Sequence, residues 1–530
     1  MKFWIVSMEC AGIAEAGGVK NVTFSLCKEL SLTGHNVTLF MPVYKCTSYE
    51  LIKNLKDYGA GQALIKHCGN EEKITYSTAS CNEGNFNIVF INHKSFAEKE
   101  GVYTYTAAEQ EKNPDFVKGF GHKDTLFMDA LFSKAVCAYA DCIKDKKDLP
   151  DIIHCQDAST ALLPSFATKN KAFEHTAFVV TIQNAGPAYH HNFSSIGEAA
   201  WITGLAENEL AGALNDFKVE PFLLASNAGA HITTVSEYYA KELIDPFNID
   251  VTEGLSPIFF KRYTNIKGIT NGIDFDRYNP ADKKESLLPF EFNPEKGELE
   301  GKYKCRDYCV NDLQYTQIPG VKTYGCINVR PQEKDKEIFI SYHGRITNQK
   351  GISVLIKAIP PILNNFESVK FIIAGQGELA LEKELIQLSS RFNGKVIFLN
   401  GYNRESSRLV NAIGDFIVLP SFFEPCGLED FISQVYGTLP VANSTGGLNK
   451  IIDYKTGFLY KNNSPENLIA KLSEVISIKL YKPQLIEKMI KTASRHVHKN
   501  YLWRNVILNE YMIFSQVLRN KINKISLKNA

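Results

Sequence analysis

"FWIVSMECAGIAEAGGVKNVTFSLCKELSLTGHNVTLFMPVY", residues 3–44, decides the fold. Its apolar opening, "FWIVSM", stops at Ser7 and is followed by Glu9, too short for a secretory leader and right for a buried strand. From Gly18 to about Leu32 the apolar residues Val22, Leu26 and Leu30 recur every fourth position and define one face of a helix. Gly34 ends that helix, and "NVTLFMPVY" starts a second strand. Strand, glycine turn, helix and strand make a βαβ unit, the element of a parallel sheet with helices on both faces.

The alternation continues outward from this unit. "FNIVFIN" (86–92), "DIIHCQD" (151–157), "AFVVTIQN" (177–184) and "AHITTVS" (230–236) read as strands, with a helix through "ALFSKAVCAYA" (130–140). A second series holds "EIFISYHGR" (337–345), "VKFIIAGQG" (369–377), "KVIFLNG" (395–401), "DFIVLPS" (415–421) and "TLPVANS" (438–444). The pattern predicts an α/β protein of two facing Rossmann-like domains with an interdomain cleft. Residues 1–266 form the first domain and 336–500 the second. The polar stretch 267–335 reads as a hinge and loop insertion, and 501–530 as a C-terminal helix packing back on the first domain. Ligands of open α/β sheets bind at the carboxyl ends of the strands.

Composition excludes several functions. The net charge of +1 over 530 residues gives no field for nucleic acid or an anionic membrane. The basic runs "KDKKD" (144–148) and "DKKE" (282–285) are broken by acids and read as solvated surface. No apolar run reaches the length of a membrane span. Twelve cysteines without a CxxC pair fit free thiols in a reducing cytoplasm.

Three motifs carry chemistry. In "HGRITNQKG" (343–351), Arg345 and Lys350 follow a strand and precede a helix, where two cations can converge on one dianion. They also fit a solvated surface loop. In "PSFFEPCGLED" (420–430), Pro425 and Gly427 bracket a turn that holds Glu424 at a strand end, to accept from sugar hydroxyls or to cap a helix. "STGGLNKII" (444–452) repeats the strand, glycine pair and helix of residues 3–44. "DFD" (274–276) matches a metal motif of the kind met by chance. His154, at the end of a buried strand, is open to a structural or a catalytic reading. No GxSxG, HExxH or Walker lysine motif is present.

With these residues in place, the chain resembles the bacterial glycogen synthases and plant starch synthases, retaining glucosyltransferases of the GT-B fold. "GRITNQKG", "LPSFFEPCGL", "YGTLPVANSTGGL" and "TNGIDFDRYNP" are similar to the family's RLTxQKG, PSRFEPCGL, YGTLPxxxxTGGL and NGIDxxxWNP. The resemblance implies that Arg345 and Lys350 hold the diphosphate of ADP-glucose or UDP-glucose, and that Glu424 lies beside the transferred glucose. It places Cys426, Gly427, Leu428, Thr445 and Gly446 around the sugar and phosphates, Tyr402 against the base, and Asn271 in the donor pocket. Gly17 and Gly18 would bring backbone to the phosphates, and His154, Asp157 and Asn184 would lie on the sugar side. An α-glucan such as glycogen would be the acceptor, with no metal, nucleic acid or membrane involved. A small-sugar acceptor, or a non-catalytic glucan-binding role, are the alternatives.

The departures concentrate in the first half. The family's KTGGL is "EAGGV", so its lysine is Glu15, and its next aspartate is Asn21. HDWHAGL has become "QDASTAL", with Ser159 in place of a histidine, and TIHN is "TIQN", with Gln183. After EPCGL, TQL is replaced by "EDF". Glu15 is left with three readings: turned away, paired with Lys20, or selecting a different donor.

Overall fold

The computed structural model describes residues 1–57, 61–329 and 336–529, with side chains as far as residue 520. The chain divides into two compact units, Met1–Asn271 with Trp503–Ala530, and Gly272–Leu502.

The first unit is built on a ten-stranded sheet. Its strands are β1 (Lys2–Val6), β2 (Asn36–Pro42), β3 (Ile52–Lys56), β4 (Gln62–His67), β5 (Asn70–Cys81), β6 (Asn87–Asn92), β7 (Ile152–Gln156) and β8 (Ala177–Ile182). A short hairpin of β9 (Leu214–Asn215) and β10 (Lys218–Val219) stands apart, and β11 (His231–Thr234) and β12 (Lys267–Gly268) complete the sheet. The order is β12-β11-β8-β7-β1-β2-β6-β5-β3, with β4 on β5. From β12 to β6 every pairing is parallel, as the βαβ reading requires. The β3–β5 segment is antiparallel and was not anticipated. "FWIV" is fully buried in β1, and the helix Val19–Leu32 turns Val22, Leu26 and Leu30 into the core.

The second unit carries seven strands: β13 (Val321–Ile327), β14 (Ile338–His343), β15 (Val369–Gly375), β16 (Lys395–Gly401), β17 (Phe416–Leu419), β18 (Leu439–Asn443) and β19 (Phe458–Tyr460). Their order is β13-β16-β15-β14-β17-β18-β19, parallel except for β13. The expectation of loops over 267–335 is corrected here. A helix spans Glu300–Asn311, and β13 adds an antiparallel edge to β16; residues 330–335 lie outside the described residues. A buried ion cluster joins that helix to the sheet: Arg306 and Lys479 each lie 3.1 Å from Asp415. Among the described residues no helix is long and apolar enough to cross a membrane.

Candidate active site

Strand order reverses at β14, with β15 on one side and β17 on the other. The loops leaving β14 and β17 therefore meet at the switch point, where α/β sheets bind ligands. These are the loops of Arg345–Lys350 and of Glu424. Gly351, at φ +70°, lets them touch: a Cβ there would sit 1.7 Å from the Pro420 carbonyl oxygen. Lys350 Nζ donates to Glu424 Oε2 at 2.5 Å, and Ser421 Oγ donates to the same oxygen at 3.0 Å. Arg345 is exposed, braced by Gln349 Oε1 at 3.1 Å. The arrangement sets two cations and one carboxylate where two strand ends meet, able to bind an anion and a hydroxyl side by side.

Lys450 fastens the neighbouring turns. Its Nζ donates to the carbonyls of Cys426 (2.5 Å), Gly427 (2.9 Å) and Gly447 (3.2 Å), and lies 2.9 Å from Asp430. Lys450 and Asp430 are both buried, and burial pushes the Asp430 carboxyl up to about 6 against the pull of the lysine. Gly447 N donates to the Glu424 carbonyl at 2.7 Å, so the "EPCG" and "TGGL" turns form one body. These two turns carry Cys426, Gly427, Leu428, Thr445 and Gly446, and Thr445 Oγ1 donates to Phe422 O at 3.2 Å. Tyr402 follows β16 and is 62% exposed, its ring free to stack.

Of the three residues that replace TQL, the two acids are both paired. Asp430 has Lys450. Glu429 Oε2 accepts from Asn411 Nδ2 and meets His343 Nδ1, both at 3.0 Å. Burial opposes charge on this pair, but mutual attraction wins: His343 is raised and Glu429 lowered from their ordinary values.

The glycine turn of the first unit is different. Gly17 N and Ala16 N donate to Glu9 Oε2 at 2.7 and 2.8 Å, and Glu9 is fully buried. Gly17, expected to bring backbone close to the phosphates, has its amide on an internal carboxylate here. Gly18 caps the helix with open space beside it. Glu15 accepts from Gly12 N at 2.6 Å and pairs with Lys20 at 2.9 Å, the second of its three readings.

His154 is likewise corrected from the sugar side to the interior. Its Nδ1 lies 2.9 Å from Tyr511 Oη and its Nε2 2.5 Å from Thr181 Oγ1, which leaves no ring nitrogen for a ligand. Burial depresses its pKa to about 3 and keeps it neutral. Asp157 and Asn184 stand at the adjoining ends of β7 and β8. Asp157 has φ +65°, costly for a non-glycine residue. Burial raises its carboxyl to about 7, against hydrogen bonds from the amides of Gln183, Ala158 and Asn184. Ser159 is buried, and Gln183 donates to Gln156 Oε1 at 2.7 Å. Asn271 is 9% exposed and closes the first unit.

Residues 2–259 match the starch synthase catalytic domain, and residues 327–496 match the glycosyl transferases group 1 domain. A glycogen synthase of Thermodesulfovibrio yellowstonii is 30% identical over 529 residues, with 95% of each chain covered. This chain belongs to the glycogen synthase family. A glycogen synthase of Aliivibrio fischeri is 28% identical over 98% of both chains. The catalytic domain of starch synthase IV from Arabidopsis thaliana, solved with ADP and acarbose, superposes with a TM-score of 0.74 at 22% identity. That match covers 95% of this chain and 99% of the other and confirms the GT-B fold.

As a glycosyltransferase of this family, the protein keeps the cation pair and Glu424 where the motifs put them. Sequence reading missed Glu9, Lys450, His343 and Asn411, each of which acts through a partner on another element. The one available signal was charge: an acid before a glycine turn and a lysine after a glycine pair both needed counter-groups.

Proposed function

We propose that the protein transfers glucose, with retention, from a nucleoside-diphosphate glucose to the non-reducing 4-hydroxyl of an α-1,4-glucan such as glycogen. ADP-glucose is the favoured donor and UDP-glucose the alternative. The observation that carries this reading is the Lys350–Glu424 pair beside Arg345 at the β14–β17 switch point. A donor diphosphate competes with Glu424 for Lys350. As it takes the lysine, the freed carboxylate accepts from the glucose hydroxyls. The acceptor oxygen then bonds to glucose C1 on the face from which the diphosphate leaves. The C1–O bond breaks, and the acceptor's proton passes to the departing phosphate. Arg345 and Lys350 stabilise the charge that develops on the leaving group, so the reaction proceeds without added metal. Free thiols at all twelve cysteines fit a cytoplasmic location.

The test is purified protein with glycogen and either donor, in the presence of a chelator, reading nucleoside diphosphate release and chain elongation. Elongation with ADP-glucose is expected. Release without elongation replaces the glucan with a smaller acceptor. Silence with both donors, in folded protein that still binds glycogen, overturns transfer in favour of glucan binding alone.

A further inference from the structure

Resting on the donor reading above, we propose that Glu429 is a specificity-determining residue that accepts hydrogen bonds from the ribose hydroxyls of the donor. The family pattern has a threonine at this position, so the carboxylate is a feature of this chain.

Three observations support the assignment. First, the carboxylate is fixed. Asn411 and His343 both converge on Oε2, while Oε1 takes no donor among the described residues, and the side chain is 32% exposed. A carboxylate with one oxygen anchored and the other open is a ready hydroxyl acceptor. Second, it is anchored to the elements that carry the two ends of the nucleotide site. His343 ends β14, whose loop carries Lys350, and Asn411 lies in the helix Arg404–Ile413 that follows Tyr402. In any nucleoside diphosphate the ribose joins the base to the phosphates. A carboxylate held from the lysine's strand by His343 and from the tyrosine's helix by Asn411 is placed to meet the sugar that joins the two. Third, a carboxylate facing the diphosphate itself would repel it. Facing a diol it gains two charge-assisted hydrogen bonds, the role an acid plays in dinucleotide sites. His343 and Asn411 touch no substrate in this scheme and are positioning residues.

Calorimetric titration with ADP, 2′-deoxy-ADP, 3′-deoxy-ADP and pyrophosphate tests the proposal. In the wild type, loss of either hydroxyl weakens binding by about 10- to 100-fold. Glu429→Ala binds ADP and its deoxy forms alike, and pyrophosphate no more weakly than the wild type does. Glu429→Gln, which keeps the shape and one acceptor oxygen, retains part of the preference and guards against misfolding in the alanine variant. His343→Ala loosens the preference while leaving pyrophosphate binding in place. A wild type indifferent to deoxyribose overturns the proposal, as does a folded Glu429→Ala that still discriminates. Failure of the wild type to bind any nucleotide overturns the donor reading instead, so the two failures are distinct.

Discussion

The two units carry the same device, a strand, a glycine pair and a helical turn, and use it in opposite ways. In the first, the amides of Ala16 and Gly17 close on Glu9, and Glu15 closes on Lys20 and Gly12. The turn is charged and neutralised from within. In the second, the carbonyls of Cys426, Gly427 and Gly447 close on Lys450, while Lys350 and Arg345 stay at the surface of the strand end. Glycine pairs permit close backbone approach but do not say what approaches. The nearest charged side chain decides whether the turn is internal scaffold or ligand site.

The largest test of this contrast is Lys450→Met. It leaves Asp430 buried without its counter-charge and three carbonyls without a donor, for a loss of about 3–5 kcal/mol in urea unfolding. The double variant Lys450→Met, Asp430→Leu recovers much of that loss. Stability unchanged in the single variant would show that the lysine does not hold the turns. Next comes Lys350→Ala, expected to lower turnover about 10²- to 10³-fold. Its melting temperature should stay near that of the wild type, because the lysine is partly exposed and leaves Glu424 to solvent and Ser421. A rate within threefold of wild type would remove Lys350 from the chemistry.

The parallel strands and the switch-point residues were legible in the sequence because both are local. β1, β7, β8, β14, β15 and β17 are short apolar runs, and Arg345, Lys350 and Glu424 lie in contiguous motifs. The antiparallel strands β3, β4 and β5 were not. They read "IKNLK", "QALIKH" and "NEEKITYSTASC", polar edges whose pairing depends on each other rather than on a buried run. Within the site, the hidden part was partner choice. His154 is open to a structural or a catalytic reading in the sequence, and Tyr511, 357 residues away in the C-terminal segment, takes its Nδ1. His343 meets Glu429 86 residues on by the same kind of contact. No motif records such pairings, because they are fixed by sheet order.

Glu9 tests the inner side of the comparison at smaller scale. Glu9→Ala removes the acceptor of two buried amides and should cost about 1–3 kcal/mol. Burial raises the Glu9 pKa above its ordinary value, against hydrogen bonds from the amides of Ala16 and Gly17. A carboxyl with a raised folded pKa contributes stability below its unfolded pKa and loses it as pH rises through the folded value. Glu9→Gln keeps an acceptor oxygen but cannot ionise. The wild type should therefore lose ground to Glu9→Gln on going from pH 4 to pH 7 in urea unfolding, and a gap that widens in the other direction would mean the ionised form is the favoured one.

The smallest effect separates Glu15 from the chemistry. Its pair with Lys20 is partly exposed, and such pairs contribute about 0–1 kcal/mol. Glu15→Ala should change stability by no more than that and leave donor KM within about twofold, since the carboxylate is already neutralised by Lys20. Glu15→Lys is the sharper variant. It restores the family's residue but places it against Lys20, so like-charge repulsion turns one of the two amines outward. If the first unit's turn is scaffold, KM for ADP-glucose stays as it was. If KM falls tenfold or more, the turn is a donor site held shut by its own charge, and the contrast between the two glycine pairs becomes one of occupancy rather than of kind.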